Sequence, residues 1–125
     1  KGTTANGLQE NLQVIACKVD ADKPFKVTED LNDEYAHGII GDRPGDYQGI
    51  EVQGVRNQYP EGDPRGTAIE VDNDNPEFYS VYVHLKAGGS ECVGDFGTPV
   101  LARDYAQRLH VQYGWLVYDF TKPAH

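Results

Sequence analysis

The chain has 125 residues and a formal net charge of −9, with 38% hydrophobic and 25% charged residues. These values are typical of a soluble globular protein with one core, so residues 1–125 are expected to form one α+β domain with a frayed stretch at 1–7. The acidic charge and the scattered basic residues argue against direct nucleic-acid binding, which needs clusters of Lys and Arg. No apolar run approaches the roughly 18 residues that a membrane span requires, so no membrane partner is expected.

The N-terminal third of the chain carries two strand patterns and one short helix pattern. Alternating apolar residues predict a strand over 12–19 and a short strand over 25–27. Thr28 then has the position of an N-cap, which predicts a short helix near 29–37 that Gly38 ends.

The middle of the chain reads as two strands separated by a turn-rich connection. Residues 48–55 alternate and place Ile50 and Val52 on one face of a strand, with Glu51 and Gln53 on the other. A connection rich in Gly and Pro follows, and residues 67–71 predict the next strand.

A β-hairpin is the clearest local prediction. Residues 78–85 and 90–96 alternate, and a turn containing two glycines joins them. If Leu85 faces Ser90, Val83 faces Cys92, and these residues lie on the apolar face that meets the helix.

The last elements are a long helix and a strand. Thr98 as N-cap, Pro99 at the first helical position and Gly114 as C-cap predict a helix over about 99–113. Residues 115–120 then predict a strand. The chain is therefore predicted to be an α+β protein with about six mostly antiparallel strands, packed on one face by this helix. It ends in a β-β-α-β unit.

The other face of the hairpin holds the candidate ligand-binding residues, which are Tyr82, His84, Glu91 and Asp95. The register above places His84 opposite Glu91, and a carboxylate beside a His allows acid–base chemistry, with His37 as a further candidate. The alternatives are an ordinary cross-strand surface pair or one edge of a dimer interface.

Other motifs are weaker. Cys17 and Cys92 are either buried small hydrophobes or a disulfide between neighbouring strands. The acidic run 72–77 lacks the Gly and Glu positions of a calcium loop. No metal site, cofactor or catalytic nucleophile is predicted.

The C-terminal third resembles a known pattern. The matching segments are Tyr79-Ser80-Val81-Tyr82, Gly88-Gly89, Cys92-Val93-Gly94-Asp95-Phe96, Tyr105-Ala106-Gln107-Arg108-Leu109 and Tyr113-Gly114. They are similar to small uncharacterised proteins of plasmids, integron cassettes and other mobile elements that carry a β-β-α-β unit. The resemblance implies a bacterial, cytoplasmic accessory protein, with no activity or functional residue to carry over.

Three functions follow as hypotheses. The first is a non-enzymatic binding or protein-interaction module, expected to be a homodimer because Tyr is abundant and no catalytic signature is present. The second is a small-ligand-binding protein or enzyme that uses the polar hairpin face around His84 and Glu91. The third is an acidic mimic of nucleic acid built from the acidic clusters at 29–30, 33–34 and 72–77.

Overall fold

The structure is a computed structural model that describes residues 28–59, 62–66 and 68–121. The predicted strands at 12–19 and 25–27 and the frayed stretch at 1–7 lie outside these residues. Within them the α+β prediction is confirmed, because six strands form one mostly antiparallel sheet and one main helix packs against it. No described helix is long and apolar enough to cross a membrane.

The described elements follow one another in a simple order. They are β1 (Asn32–Glu34), α1 (Ala36–Ile40), β2 (Tyr47–Asn57), β3 (Ile69–Val71), β4 (Phe78–Leu85), β5 (Ser90–Phe96), α2 (Pro99–Tyr113) and β6 (Leu116–Asp119). The sheet order is β1-β5-β4-β2-β3 with antiparallel neighbours, and β6 pairs parallel to β2 on the side that β3 also occupies. β2 is therefore the central strand, between β4 on one side and β6 on the other.

The main core lies between α2 and one face of the sheet. Helix α2 begins as predicted, since the Thr98 side chain accepts a hydrogen bond from the Leu101 N–H at 3.2 Å, and it ends at Gly114 with φ 82°. The buried residues of this core on α2 and on the central strands are Ala102, Tyr105, Ala106, Leu109, Ile50, Val52, Val81, Val83, Val93 and Phe96. Burial of this apolar surface holds the helix against one face of the sheet. The alternate residues of the same strands project from the opposite face.

The short helix lies later in the chain than the sequence predicted. The expected helix near 29–37 is replaced by a turn, the strand β1 and then α1, which starts only at Ala36. The cause is backbone pairing with β5, because the Tyr35 N–H donates to the Val93 carbonyl and the Gly97 N–H donates to the Leu31 carbonyl, both at 2.8 Å. These long-range hydrogen bonds outweigh a local helix signal.

A β-bulge changes the hairpin register halfway along. Tyr79 pairs with Phe96 and Val81 pairs with Gly94 as predicted, but Tyr82 then pairs with Cys92, which leaves Val93 as an extra residue. The prediction that Cys92 faces the helix is therefore wrong. Val93 belongs to the core under α2, and Cys92 lies on the other face beside Tyr82.

Candidate functional site

The sheet face opposite α2 carries a group of polar side chains, which we call the polar face. Its members on β2, β4 and β5 are Gly49, Glu51, Gln53, Ser80, Tyr82, His84, Ser90, Cys92 and Asp95. These residues share a face because side chains alternate along each strand. Most of them are buried, including the carboxyl groups of Glu51 and Asp95. A buried polar group destabilises the folded protein unless it has a hydrogen-bond partner.

Glu51 is the most unusual member of the polar face. Its side chain is 0% exposed, and its Oε1 accepts a long hydrogen bond of 3.4 Å from Gln53 Nε2. Its Oε2 is buried and has no hydrogen-bond partner in the part of the chain that the structure describes. Burial raises the pKa of Glu51, and the hydrogen bond from Gln53 opposes this rise.

The turn after β3 fixes the orientation of Gln53. Asn73 Nδ2 donates to Gln53 Oε1 at 2.9 Å, and Asn73 Oδ1 accepts from the Gly54 N–H at 2.5 Å. Because the Gln53 oxygen is occupied by Asn73, the amide nitrogen of Gln53 faces Glu51. The acidic turn predicted at 72–77 thus supports one end of the polar face.

His84 lies on the same face and pairs with Ser90 across the hairpin. The residue is 9% exposed, and its Nδ1 lies 3.5 Å from Gln48 Nε2. When Nδ1 accepts from the Gln48 amide, Nε2 carries the ring hydrogen. Burial lowers the pKa of His84, which favours the neutral ring. His84 Nε2 and Ser90 Oγ are both buried without a hydrogen-bond partner among the described residues.

The strand register brings Glu51 and His84 near each other. Glu51 pairs directly with Tyr82, while His84 pairs with Gly49, two residues before Glu51. Such diagonal neighbours are about 7 Å apart in an antiparallel sheet. The ring of Tyr118 on β6 lies against Gly49, where an added Cβ would be 3.4 Å from Tyr118 Cε2 and 3.9 Å from His84 Cβ. Tyr118 therefore packs over Gly49, next to His84.

The polar face reaches the surface beside β6. Leu116 pairs with Gly49 and Tyr118 pairs with Glu51 in the parallel ladder. Leu116 is 62% exposed and Tyr118 is partly buried. Beside the buried Glu51 and His84, the same face therefore carries exposed and partly buried side chains on β6.

Asp95 is embedded in a closed hydrogen-bond cluster. Tyr35 donates to its Oδ2 at 2.5 Å, Ser80 donates to its Oδ1 at 2.6 Å, and Cys92 Sγ lies 3.5 Å from Oδ1. Tyr35 also lies 3.1 Å from the sulfur of Cys92. Burial raises the pKa of Asp95, and these three hydrogen bonds oppose the rise. Both carboxyl oxygens of Asp95 accept hydrogen bonds, so Asp95 holds the side chains of Tyr35 and Ser80 in place.

The structure brings together three of the four predicted site residues. Tyr82, His84 and Asp95 share the polar face, but the bulge pairs Glu91 with Val83 instead of His84. Glu91 therefore lies on the side of α2, where the Tyr47 hydroxyl donates to its Oε1 at 2.5 Å. Burial and this hydrogen bond raise the pKa of Tyr47 to about 12.

The remaining predicted groups lie elsewhere or are only partly described. His37 is exposed on α1. Cys92 is buried, while Cys17, its partner in the disulfide alternative, lies outside the described residues. Among the described residues, no three His, Cys, Asp or Glu side chains are arranged to hold a metal ion.

The sequence prediction missed Glu51 as a functional candidate. It placed Glu51 and Gln53 on the face opposite Ile50 and Val52, which is confirmed, but gave them no role. Both are buried side chains on β2, which is central in the sheet because it pairs with β4 and β6. An alternating strand shows no local signal of its position in a sheet.

Comparisons of the chain with protein-family models, curated proteins and solved structures found no match. The bacterial, mobile-element origin implied by the resemblance of the C-terminal third stays a prediction, as does the cytoplasmic location. Function is therefore inferred from the geometry of the polar face.

Proposed function

We propose that the chain binds a small polar molecule on the polar face, with Glu51, His84 and Ser90 as its main polar contacts. The observation that carries this proposal is a set of three buried polar atoms on one face of the sheet, Glu51 Oε2, His84 Nε2 and Ser90 Oγ. None of them has a hydrogen-bond partner among the described residues. Leaving such a group unsatisfied costs about 1–3 kcal/mol, and a bound polar molecule offsets that cost.

The chemistry of these groups selects a class of ligand. In the tautomer whose Nδ1 accepts from Gln48, His84 offers an N–H donor at Nε2, while Ser90 offers a hydroxyl and Glu51 offers one carboxyl oxygen. A compact molecule with a hydrogen-bond acceptor beside a donor fits this arrangement, as in a carboxamide, a lactam or a hydroxy ketone. Tyr82 and Tyr118 supply aromatic surface on either side of Glu51.

The surrounding hydrogen bonds favour binding because they hold the face in one arrangement. Asn73 fixes Gln53, and Tyr35 and Ser80 fix Asp95. A site whose polar groups are already oriented loses little conformational entropy when a ligand binds.

A thermal-shift screen tests the proposal. The wild-type chain is heated with a library of small amides, lactams, hydroxy ketones, sugars and nucleobases, and hits are repeated on Glu51→Gln and His84→Ala. A ligand at 100 times its Kd adds roughly 2.7 kcal/mol of stability to the protein that binds it. Hits should raise the melting temperature of the wild type but have a much smaller effect on both variants.

The matched controls are Glu70→Gln on β3 and His37→Ala on α1, because both side chains are exposed. They should respond to each hit as the wild type does. The proposal is wrong if the library yields no hit, or if every hit stabilises the wild type and the two site variants equally.

A second candidate is the homodimeric interaction module, and one observation favours it. Among the described strands β6 pairs only with β2, so its other edge has no strand partner within the described residues, and it carries the exposed Leu116. An open edge with an exposed apolar residue can pair with a second copy of the chain. Light scattering coupled to size exclusion should then show a dimer that Leu116→Lys converts to a monomer, while Val100→Lys on the exposed side of α2 leaves it intact.

The acidic-mimic hypothesis has less support. Such a mimic needs unpaired carboxylates in a row, but Glu34 forms an ion pair with Arg108 and Glu77 lies 3.7 Å from Arg56. The acidic clusters also lie on separate elements, since residues 33–34 belong to β1 and residues 72–77 connect β3 to β4.

A further inference from the structure

We propose that the polar face also catalyses proton transfer on a bound carbonyl compound, with Glu51 as the base and His84 as the hydrogen-bond donor to the carbonyl oxygen. This inference rests on the proposed function, because it uses the same contacts. It goes beyond binding because it assigns a reaction class and a role to each residue.

Glu51 has the features of a general base. Its carboxyl group is fully buried, one oxygen is held by Gln53, and the other has no partner among the described residues. A carboxylate removed from water is a stronger base than an exposed one, because desolvation disfavours its charged form. Gln53 is held in turn by Asn73, so the reactive oxygen has a fixed direction.

The other carboxyl group of the polar face is a poor candidate for this role. Asp95 receives hydrogen bonds from Tyr35 and Ser80 on its two oxygens, and these bonds stabilise its charged form. Glu51 is thus the polar-face carboxyl whose second oxygen has no hydrogen-bond partner among the described residues.

His84 has the features of an electrophilic partner. A neutral ring whose Nδ1 accepts from Gln48 presents an N–H at Nε2, and this atom is buried without a partner among the described residues. Glu51 and His84 are diagonal neighbours on paired strands, and the Cβ atoms of such neighbours are about 7 Å apart. In the proposed complex the acidic C–H of the substrate lies at Glu51 Oε2 and its carbonyl oxygen at His84 Nε2.

The proposed step is balanced without any further reactant. Glu51 Oε2 removes a proton from the carbon next to the carbonyl, and the C–H electron pair forms a carbon–carbon double bond. The carbonyl π pair moves to oxygen, where the negative charge is stabilised by the N–H of His84. Glu51 then returns the proton, to the same carbon or to the far carbon of an unsaturated substrate, which gives an isomer.

Several other titratable groups lie on the polar face, pair with one of its strands or contact its members. They are Tyr82 and His84 on β4, Cys92 and Asp95 on β5, Tyr118 on β6, and Tyr35 before α1. The rate should increase with pH as Glu51 loses its proton, with a midpoint above 4.5, the ordinary value for Glu, because burial raises the pKa of Glu51.

The test uses two simple probes on the full chain. The first is 5-nitrobenzisoxazole, which a base converts to a coloured phenolate by removing one proton as the N–O bond breaks. The second is cyclohexanone in D₂O, whose loss of α-protons is followed by NMR. The wild type should accelerate both reactions at least 100-fold over the same concentration of acetate. Glu51→Gln should lose this acceleration, and Glu70→Gln on β3 should keep it.

Two further variants distinguish the role of Glu51 as base from that of His84 as hydrogen-bond donor. Glu51→Asp keeps a carboxylate but withdraws it by one methylene, so it should retain a small part of the rate. His84→Ala should slow cyclohexanone exchange more than the reaction of 5-nitrobenzisoxazole, whose leaving phenolate needs less stabilisation. The pH profile of the wild type gives a readout that requires no variant.

The outcomes distinguish this inference from the proposed function. If neither probe reacts faster with the wild type than with Glu51→Gln, the catalytic inference is overturned, and ligands found in the thermal-shift screen still support binding. If the screen also gives no hit that depends on Glu51 and His84, both proposals are wrong.

Discussion

The hydroxyl of Tyr35 donates a 2.5 Å hydrogen bond to Oδ2 of Asp95, a residue 60 positions later in the chain. This bond connects the segment between β1 and α1 to the second strand of the hairpin. Burial, with Cys92 and Asp95 nearby, raises the pKa of Tyr35, so its hydroxyl stays protonated and remains a donor. The pair thus holds one side of the polar face in place.

Removal of this hydroxyl should destabilise the protein. Tyr35→Phe leaves Asp95 Oδ2 without its donor in a buried site, and we expect the free energy of unfolding to fall by about 1–3 kcal/mol in urea titrations. Tyr113→Phe is the control, since the Tyr113 ring stacks on Trp115 at 4.4 Å and the substitution keeps that ring. Equal stability of Tyr35→Phe and the wild type would show that the bond contributes nothing.

Replacement of Gly97 should be costly because the chain approaches it closely. An added Cβ would lie 2.0 Å from the Thr28 carbonyl oxygen, so Gly97→Ala must displace the turn before β1. We expect a loss of about 1–3 kcal/mol in the free energy of unfolding. Gly45→Ala is the control, because a Cβ there meets nothing within 4 Å, and it should change stability little. If both variants unfold alike, the turn before β1 does not pack against Gly97.

The N-cap of α2 should contribute a measurable amount of stability. Thr98→Ala removes the acceptor for the Leu101 N–H and is expected to cost about 1 kcal/mol in the free energy of unfolding. Thr98→Ser keeps an oxygen in the same place and should restore most of that loss. A serine variant as unstable as the alanine variant would argue against a capping role.

Glu51 should make the protein less stable as the pH rises. Because burial raises the pKa of Glu51 in the folded state, the folded protein binds this proton more tightly than the unfolded chain. Stability from the bound proton is complete below the unfolded value of about 4.5 and is lost as the pH rises through the folded pKa.

Glu51→Gln removes this dependence. Above pH 4.5 the variant should gain stability relative to the wild type, by at most about 1.4 kcal/mol per pH unit, until Glu51 is ionised in the folded protein. Urea titrations from pH 4 to 8 measure the difference, with Glu70→Gln as the control. A difference that does not change with pH would show that Glu51 keeps its ordinary pKa.

Local patterns were enough to predict the C-terminal half of the fold. The hairpin strands and α2 have the predicted bounds, since period-two alternation, a glycine turn, Thr98 and Gly114 are all local signals. The strand β1 had no such signal. It forms because residues 32–34 pair with β5, 60 to 64 positions later in the chain.

The candidate site could be predicted only in part. The alternation of β4 placed Tyr82 and His84 together, but the bulge at Val93 moved Glu91 to the other side of the sheet. A bulge adds one residue to a strand and leaves the alternation on either side intact, so a regular register is assumed until the pairing is known. Glu51 lies on the same face as Tyr82 and His84 because β2 pairs with β4, a pairing that the local sequence pattern does not show.

The most direct test of the account is to map binding on the protein by NMR. Hits from the thermal-shift screen are titrated into ¹⁵N-labelled wild type, and chemical-shift changes are followed at each backbone amide. We expect changes concentrated at Glu51, Tyr82, His84 and Ser90 that disappear in Glu51→Gln. Changes confined to α2 or spread evenly over the surface would contradict the claim that the polar face is the binding site.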